Sequence, residues 1–322
     1  MAAHNDTVFV EAPARLHFGV LDLRGSLGRW FGGVGAAAPG PALLLSASPS
    51  AAVQVEGDDA DRAASFARCF LAHHAIRGGA RIDVQRALPA HAGLGSGTQL
   101  ALAVARALAE LHDVAAEPDA LARATGRADR SAIGTWTFAG GGLVVEGGRV
   151  RGTQVVAPLI ARVPFPSSWR CVVAVPDGSP AISGHVEDAA FETLPAPPQH
   201  EVERQSHVVL MSLLPALRDG DLATFGAALN EIQATTGRWF APVQGGTFAP
   251  GMSESLARRL SEWGAAGVGQ SSWGPAVYGI VDGDEASAAL AARVRGLLGE
   301  RGVVYEGPFR SEGARVWREP SA

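Results

Sequence analysis

Pro89-Ala90-His91-Ala92-Gly93-Leu94-Gly95-Ser96-Gly97-Thr98 stands between two regular patterns. Before it, Ile82 and Val84 alternate with Asp83 and Gln85 in a strand that ends at Pro89. After it, Leu100, Val104, Ala107, Leu108 and Leu111 form a helical stripe. The stretch is therefore a glycine loop that opens a helix. Unpaired backbone N–H groups and the positive end of the helix dipole make such a start a ready anion site, and phosphate is the natural ligand. The alternative is a plain strand-to-helix turn, although three glycines with the Ser96 and Thr98 hydroxyls go beyond what a turn requires.

Upstream, Val8, Val10 and Ala12 alternate with polar residues and lead past Pro13 into Arg15 to Val20, one or two strands. Gly25, Gly28, Gly32, Gly33 and Gly35, interleaved with Arg29, Trp30 and Phe31, read as a shaped loop. Strands resume at Leu43 to Ala47 and Val53 to Glu56, and Asp61 to Ile76 has helical spacing. Downstream, Pro118 and Gly126 bracket a helix, and Gly147-Gly148 reads as a hairpin turn between Leu143–Val145 and Val150. The Pro164-Phe165-Pro166-Ser167-Ser168 punctuation divides the chain into 1–163 and 164–322. The second part has a strand at Cys171 to Val175, helices at Glu201 to Leu217, Asp221 to Thr235, Ser253 to Trp263 and Ala286 to Leu298, and strands at Val277 to Val281 and Val303 to Glu306. Irregular alternation with hairpin signals predicts an α+β fold with mainly antiparallel sheets packed against helices.

The 322 residues contain no lysine, so all 27 basic residues are arginine, and Schiff-base, pyridoxal and Walker-type chemistry is excluded. A net charge of -5 without a basic tail argues against nucleic acid as a partner. No apolar run is long enough to span a membrane, and Met1 to Val10 lacks the pattern of a signal peptide, so a cytoplasmic protein is expected. Cys69 and Cys171 lie far apart and read as small buried residues, and no histidine spacing suggests a metal triad.

Besides the glycine loop, three groups carry chemistry. In Arg15-Leu16-His17-Phe18-Gly19, alternation puts Arg15, His17 and Gly19 on one strand face, a cationic and polar face suited to an anion or to solvent. Gly267-Val268-Gly269-Gln270-Ser271-Ser272-Trp273-Gly274-Pro275 concentrates polar side chains on a predicted loop between helix and strand, as a ligand-contacting loop does. Arg127, Asp129 and Arg130 before Ser131-Ala132-Ile133-Gly134 form either a further charged site or a helix-end salt-bridge cluster.

The stretch from Pro89 to Ser96 resembles the phosphate loop of the GHMP kinase superfamily. Arg15–Gly19, Phe31-Gly32-Gly33-Val34-Gly35, Gly93–Leu100 and Gly269–Pro275, in that order, resemble a non-kinase branch of it, the beta-ribofuranosylaminobenzene 5'-phosphate synthases. That resemblance implies two α+β domains with the active site between them. It also implies condensation of phosphoribosyl diphosphate with 4-aminobenzoate or 4-hydroxybenzoate, with release of carbon dioxide and diphosphate, on the way to methanopterin-type carriers. The alternative within the superfamily is an ATP-dependent small-molecule kinase.

For the implied chemistry, Arg15, His17, Asp22 and Asp129 are the candidate catalytic residues. Arg29, Gly93, Leu94, Gly95, Ser96, Gly97, Thr98, Gln99, Gln270, Ser271, Ser272 and Trp273 are the candidates for binding substrate. A magnesium ion is expected, with no ligands assigned beyond a carboxylate such as Asp22 or Asp129. Partners are small molecules and, on base rates, a second copy in a homodimer.

Overall fold

The alternation of Val8, Val10 and Ala12 produces the first strand, β1 (Asp6–Asp22), with these three side chains fully buried. In the computed structural model, which describes residues 6–127, 129–177 and 185–320, the chain turns at 23–28 into a second long strand, β2 (Arg29–Ser50). β3 (Gln54–Gly57), α1 (Ala60–His73) and β4 (Gly79–Arg86) follow. Next come α2 (Ser96–Leu111), α3 (Pro118–Ala124), α4 (Ile133–Gly140), β5 (Leu143–Glu146), β6 (Arg149–Val150) and β7 (Leu159–Val163).

The second half runs through β8 (Trp169–Pro176), α5 (His185–Thr193) and α6 (Gln199–Val208). A π-helical turn at Val209–Leu213 joins α6 to α7 (Leu214–Asp219). Then come α8 (Leu222–Gln244), α9 (Met252–Glu262), β9 (Gly267–Gln270), β10 (Val277–Asp282), α10 (Asp284–Leu298), β11 (Gly302–Pro308) and β12 (Arg315–Pro320).

The larger sheet has the order β12-β1-β2-β4-β3, with β5 and β6 also pairing with β2, and β7 with β5. Only β3 and β4 run parallel among its pairs. The smaller sheet, β11-β8-β10-β9, is antiparallel throughout. One apolar core joins the inner faces of the two sheets, through Leu16, Phe18 and Leu102 on one side and Cys171, Ile232 and Tyr278 on the other. α2 sits within it and is buried almost all round, which its run of alanines permits by allowing close approach.

Several expectations are corrected. Gly32, Gly33 and Gly35 are not in a loop: they are strand residues of β2, and a Cβ on Gly35 would collide with Leu16 and Ile133. Gly147-Gly148 does not close a β5–β6 hairpin, because β6 pairs with Arg29 and Trp30 of β2 instead. Gly267–Gln270 is strand, not loop. A division at 163/164 does not hold to the end of the chain, since β12 crosses back to pair with β1 from Asp6 to Glu11. Cys69 is exposed on α1, and Cys171 is buried. Met1 to Asn5, part of the segment examined for a signal peptide, lie outside the described residues. Among the described residues no helix is long and apolar enough to cross a membrane.

Candidate active site

Gly93 is where β1, the glycine loop and the segment after β9 meet. Its φ of 75° is in the left-handed region, and a Cβ there would collide with the Ser271 carbonyl, so only glycine lets the two loops touch. The Gly93 carbonyl accepts hydrogen bonds from Arg15 Nη1 and from Ser271 Oγ, the latter at 2.6 Å. Ser271 Oγ in turn accepts from the His17 backbone N–H at 2.9 Å. Arg15 N–H bonds to the Leu94 carbonyl at 3.0 Å, and Ala276 N–H to the Ala92 carbonyl at 3.1 Å. These contacts hold the start of α2, whose first N–H groups a helix leaves without an internal partner, against β1 and the loop between β9 and β10.

Around this start lies a cavity of about 440 Å³, lined by Arg15, Arg62, Arg127 and Arg130. Two carboxylates, Asp129 and Glu187, stand against the four guanidiniums, and Arg130 pairs with Glu187 at 2.7 Å. Burial pulls Arg15 down to about 10; Glu187 opposes this, and Arg127 and Arg130 add to it. Arg127 is lowered in the same way, by burial first and then by Arg62 and Arg130. Arg15 and Arg127 are thus held beside neighbouring guanidiniums against their repulsion, and a polyanion would relieve that cost.

The same cavity is lined by aromatic rings, with Arg130 over the Phe191 ring at 6.0 Å. Phe240 and Trp273 stack at 4.1 Å and 12°, and Phe191 meets both edge-on at 5.8 and 5.5 Å. Phe31 meets Phe191 edge-on at 5.2 Å. These four rings line the cavity and come from β2, α5, α8 and the loop after β9.

The structure brings together much of what the sequence singled out, but not all. Arg15, His17, Asp129, Gly93, Gly95, Ser96, Gly97, Thr98, Ser272 and Trp273 line the cavity. Asp22 does not: its carboxylate accepts from the Arg24 and Gly25 N–H groups at 2.6 and 2.7 Å and shapes the turn after β1. Arg29 donates to the Gly148 carbonyl at 2.8 Å, also away from the cavity. Leu94 is core, and Gln99 is fully buried and donates to the Gly134 carbonyl. Gln270 braces its own loop through Gln244, Ser272 and Ala249, and Ser271 acts through Gly93 and His17. Sequence reasoning missed Arg62, which lies in the helix read at 61–76, and Glu187, Phe191 and Phe240, which lie in stretches it left unassigned.

Residues 61–141 match the GHMP kinases N terminal domain and residues 213–297 the GHMP kinases C terminal domain. A beta-ribofuranosylphenol 5'-phosphate synthase of Methanothermobacter thermautotrophicus is 34% identical over 95% of this chain and 98% of its own length. One of Archaeoglobus fulgidus is 34% identical over 91% of this chain and 93% of its own. Among solved structures, homoserine kinase from Cytophaga hutchinsonii has the same fold, with a TM-score of 0.71, 17% identity and coverage of 98% of this chain and 99% of its own.

Proposed function

Since the chain belongs to the family of beta-ribofuranosylphenol 5'-phosphate synthases, built on the GHMP kinase fold, we propose that it joins the ribosyl group of phosphoribosyl diphosphate to 4-hydroxybenzoate or 4-aminobenzoate, releasing diphosphate and carbon dioxide. The observation that carries this reading is one cavity lined both by four arginines with a glycine loop and by four aromatic rings, Arg130 standing over the Phe191 ring at 6.0 Å. The arginines and the loop suit a donor bearing two phosphate groups, and the rings suit a planar acceptor. The relatives are named for a phenol product, which favours the hydroxy acid.

The chemistry asks the protein for positioning and electrostatics. The bond from sugar C1 to the diphosphate oxygen breaks with its electron pair, and charge gathers on the leaving group, where Arg15, Arg62, Arg127 and the N–H groups of Ser96 and Gly97 lie. The ring carbon that carries the carboxylate bonds to C1. The pair from its bond to the carboxylate then returns to the ring as carbon dioxide leaves. The aromatic wall excludes water, which would otherwise capture the sugar cation and waste the donor.

The expected magnesium fits this site in one way. Among the described residues no group of three ligating side chains exists, so the ion would be held by Asp129, with Glu187 near, and by the donor's own phosphate oxygens. When bound, it would offset charge on the departing diphosphate.

The test is release of labelled carbon dioxide from carboxyl-labelled 4-hydroxybenzoate and 4-aminobenzoate in the presence of phosphoribosyl diphosphate and magnesium. Release that needs both substrates is the expected result. No release from either acid, with ATP consumed in the presence of an alcohol, would return the chain to the kinases.

A further inference from the structure

Beside the main cavity lies a small pocket of about 20 Å³ that the chemistry above leaves unused, with room for one group the size of a water. His17, Phe240 and Ser272 line both spaces. Along β1, Arg15 lines the main cavity only, His17 both, and Gly19 the pocket only. Among the described residues no guanidinium and no carboxylate lines the pocket. Burial, with Arg15 adding, lowers His17 to about 3, so the imidazole there is uncharged as well.

Three glutamines decide what the pocket can hold. Gln270 Oε1 accepts from the Ala249 N–H at 2.7 Å, which turns Gln270 Nε2 toward Gln244 Oε1 and the Ser272 carbonyl, at 2.8 and 3.1 Å. Gln233 Oε1 accepts from the Gln270 backbone N–H at 2.9 Å, and its Nε2 donates to the Phe18 carbonyl and, at 3.0 Å, to Tyr278 Oη. Gln244 Nε2 donates to the Gly246 and Thr247 carbonyls at 2.9 and 3.1 Å. An amide nitrogen carries two protons and an amide oxygen two acceptor sites, so every amide proton is committed while each of these oxygens keeps one site open.

Thr236 completes the set. Its Oγ1 accepts from the Val20 N–H and from Gln205 Nε2, both at 3.3 Å, and neither contact uses its own proton. Gly19 lets Thr236 stand against β1, since a Cβ there would be 2.8 Å from Thr236 Oγ1. The pocket is thus uncharged and rich in acceptors, with no amide proton to spare. A carboxylate would lose its hydration there and meet no cation. A phenolic O–H, by contrast, can give its proton to an amide oxygen and take one from Thr236. An aromatic amine gives protons too, but its nitrogen pair is drawn into the ring and accepts poorly.

We propose that this pocket seats the ring hydroxyl of the aromatic acceptor, with Thr236 as the residue that tells hydroxyl from amine. The proposal rests on the reading given under Proposed function. The reaction requires the matching orientation: the carbon that carries the carboxylate must meet sugar C1, so the para group points away from the donor. A ring lying against Phe240 carries that group into the pocket that Phe240 also lines, and its carboxylate stays in the main cavity with the guanidiniums.

The experiment measures kcat/KM with 4-hydroxybenzoate and 4-aminobenzoate for wild type, Thr236→Val and Thr236→Ser. On the wild type it adds inhibition of carbon dioxide release by benzoate, 4-methoxybenzoate and terephthalate. Thr236→Val should lower kcat/KM about tenfold for the hydroxy acid and less than about threefold for 4-aminobenzoate, with the KM for phosphoribosyl diphosphate unchanged, and Thr236→Ser should restore it. 4-Methoxybenzoate, too large for the pocket, and terephthalate, which would put a second charge into it, should each inhibit about tenfold more weakly than benzoate, or worse. Equal losses on both acids, a wild type that prefers 4-aminobenzoate, or inhibition by the two larger acids as strong as by benzoate would overturn the seat, while turnover by the wild type keeps the synthase reading. A wild type that turns over neither acid would overturn both. If Thr236→Val does not fold, the three inhibitors decide the matter.

Discussion

Arg62 and Arg127 converge on one point above the start of α2: a methyl group on Gly97 would stand 2.7 Å from the Nη2 atom of each. Two guanidiniums from different helices and loops are thus seated on a residue with no side chain. Gly95 plays the same part for Arg15, whose Cγ would be 2.7 Å from an added Cβ.

Gly97→Ala follows directly. Alanine is the better helix former by about 1 kcal/mol, so the fold should be kept, but both arginines must move. The KM for phosphoribosyl diphosphate should rise about tenfold or more, with the melting temperature unchanged or higher. Steady-state kinetics beside a thermal melt checks this, and an unchanged KM would remove the anion role from this end of the cavity.

Arg127→Met tests whether the arginines are held together at a cost. Removing one buried cation from the cluster relieves repulsion, so the protein without substrate should melt at the same temperature or up to about 4 °C higher. The stabilisation that phosphoribosyl diphosphate gives the wild type should be lost. A substrate-induced shift as large as wild type's would contradict this.

Two buried titratable groups, His17 and Glu146, pull stability in opposite directions with pH. His17 is lowered from 6.5 to about 3, so the unfolded chain binds the extra proton and stability is withdrawn as pH falls below about 6.5. Glu146 is raised from 4.5 to about 7, so the folded chain binds the extra proton and stability is withdrawn as pH rises through that window. Between about 4.5 and 6.5 the two slopes oppose one another, and below 4.5 His17 acts alone. Glu146→Gln should therefore match wild type near pH 4.5 and exceed it at pH 8 by about 3 kcal/mol, from the shift at about 1.36 kcal/mol per unit. Urea unfolding at the two pH values reads this; equal stability at pH 8 would refute the buried, proton-holding carboxyl.

Phe240→Leu keeps the wall apolar while removing the ring that stacks on Trp273. The KM for the aromatic acid should rise about tenfold, the KM for the donor should stay within about twofold, and more donor should be lost to water per product formed. Chromatography of ribose phosphate against carbon-linked product measures the ratio.

The glycine loop and α2 could be read from the sequence because each is set by a local rule: glycine where φ is positive and apolar residues at helical spacing. The same logic misread Gly33 and Gly35, whose lack of side chains serves close packing against β1 and Ile133 and not a turn, whereas Gly32 does have a positive φ, of 62°, but within β2. Asp22 and Arg29 lay close in sequence to the right residues, and yet their side chains are spent on backbone groups of neighbouring turns. Arg62, Phe191 and Phe240 are about 30 to 140 residues from the glycine loop, and only the docking of α1, α5 and α8 brings them to the cavity. Glu146 was hidden for a different reason: a glutamate in a short apolar strand gives no sign of burial until β2 and the 131–133 segment close over it.

The return of β12 to β1 has a consequence for synthesis. The ribosome makes Arg315–Pro320 only after the whole of the smaller sheet, so throughout that time β1 presents an open row of backbone donors and acceptors, with Phe9 still waiting for Trp317, on which it stacks at 5.2 Å. The nascent chain is thus most open to mispairing with a neighbour's strand while its phosphate loop is already complete. Crowded polysomes, more than dilute refolding, are where this protein would be expected to aggregate.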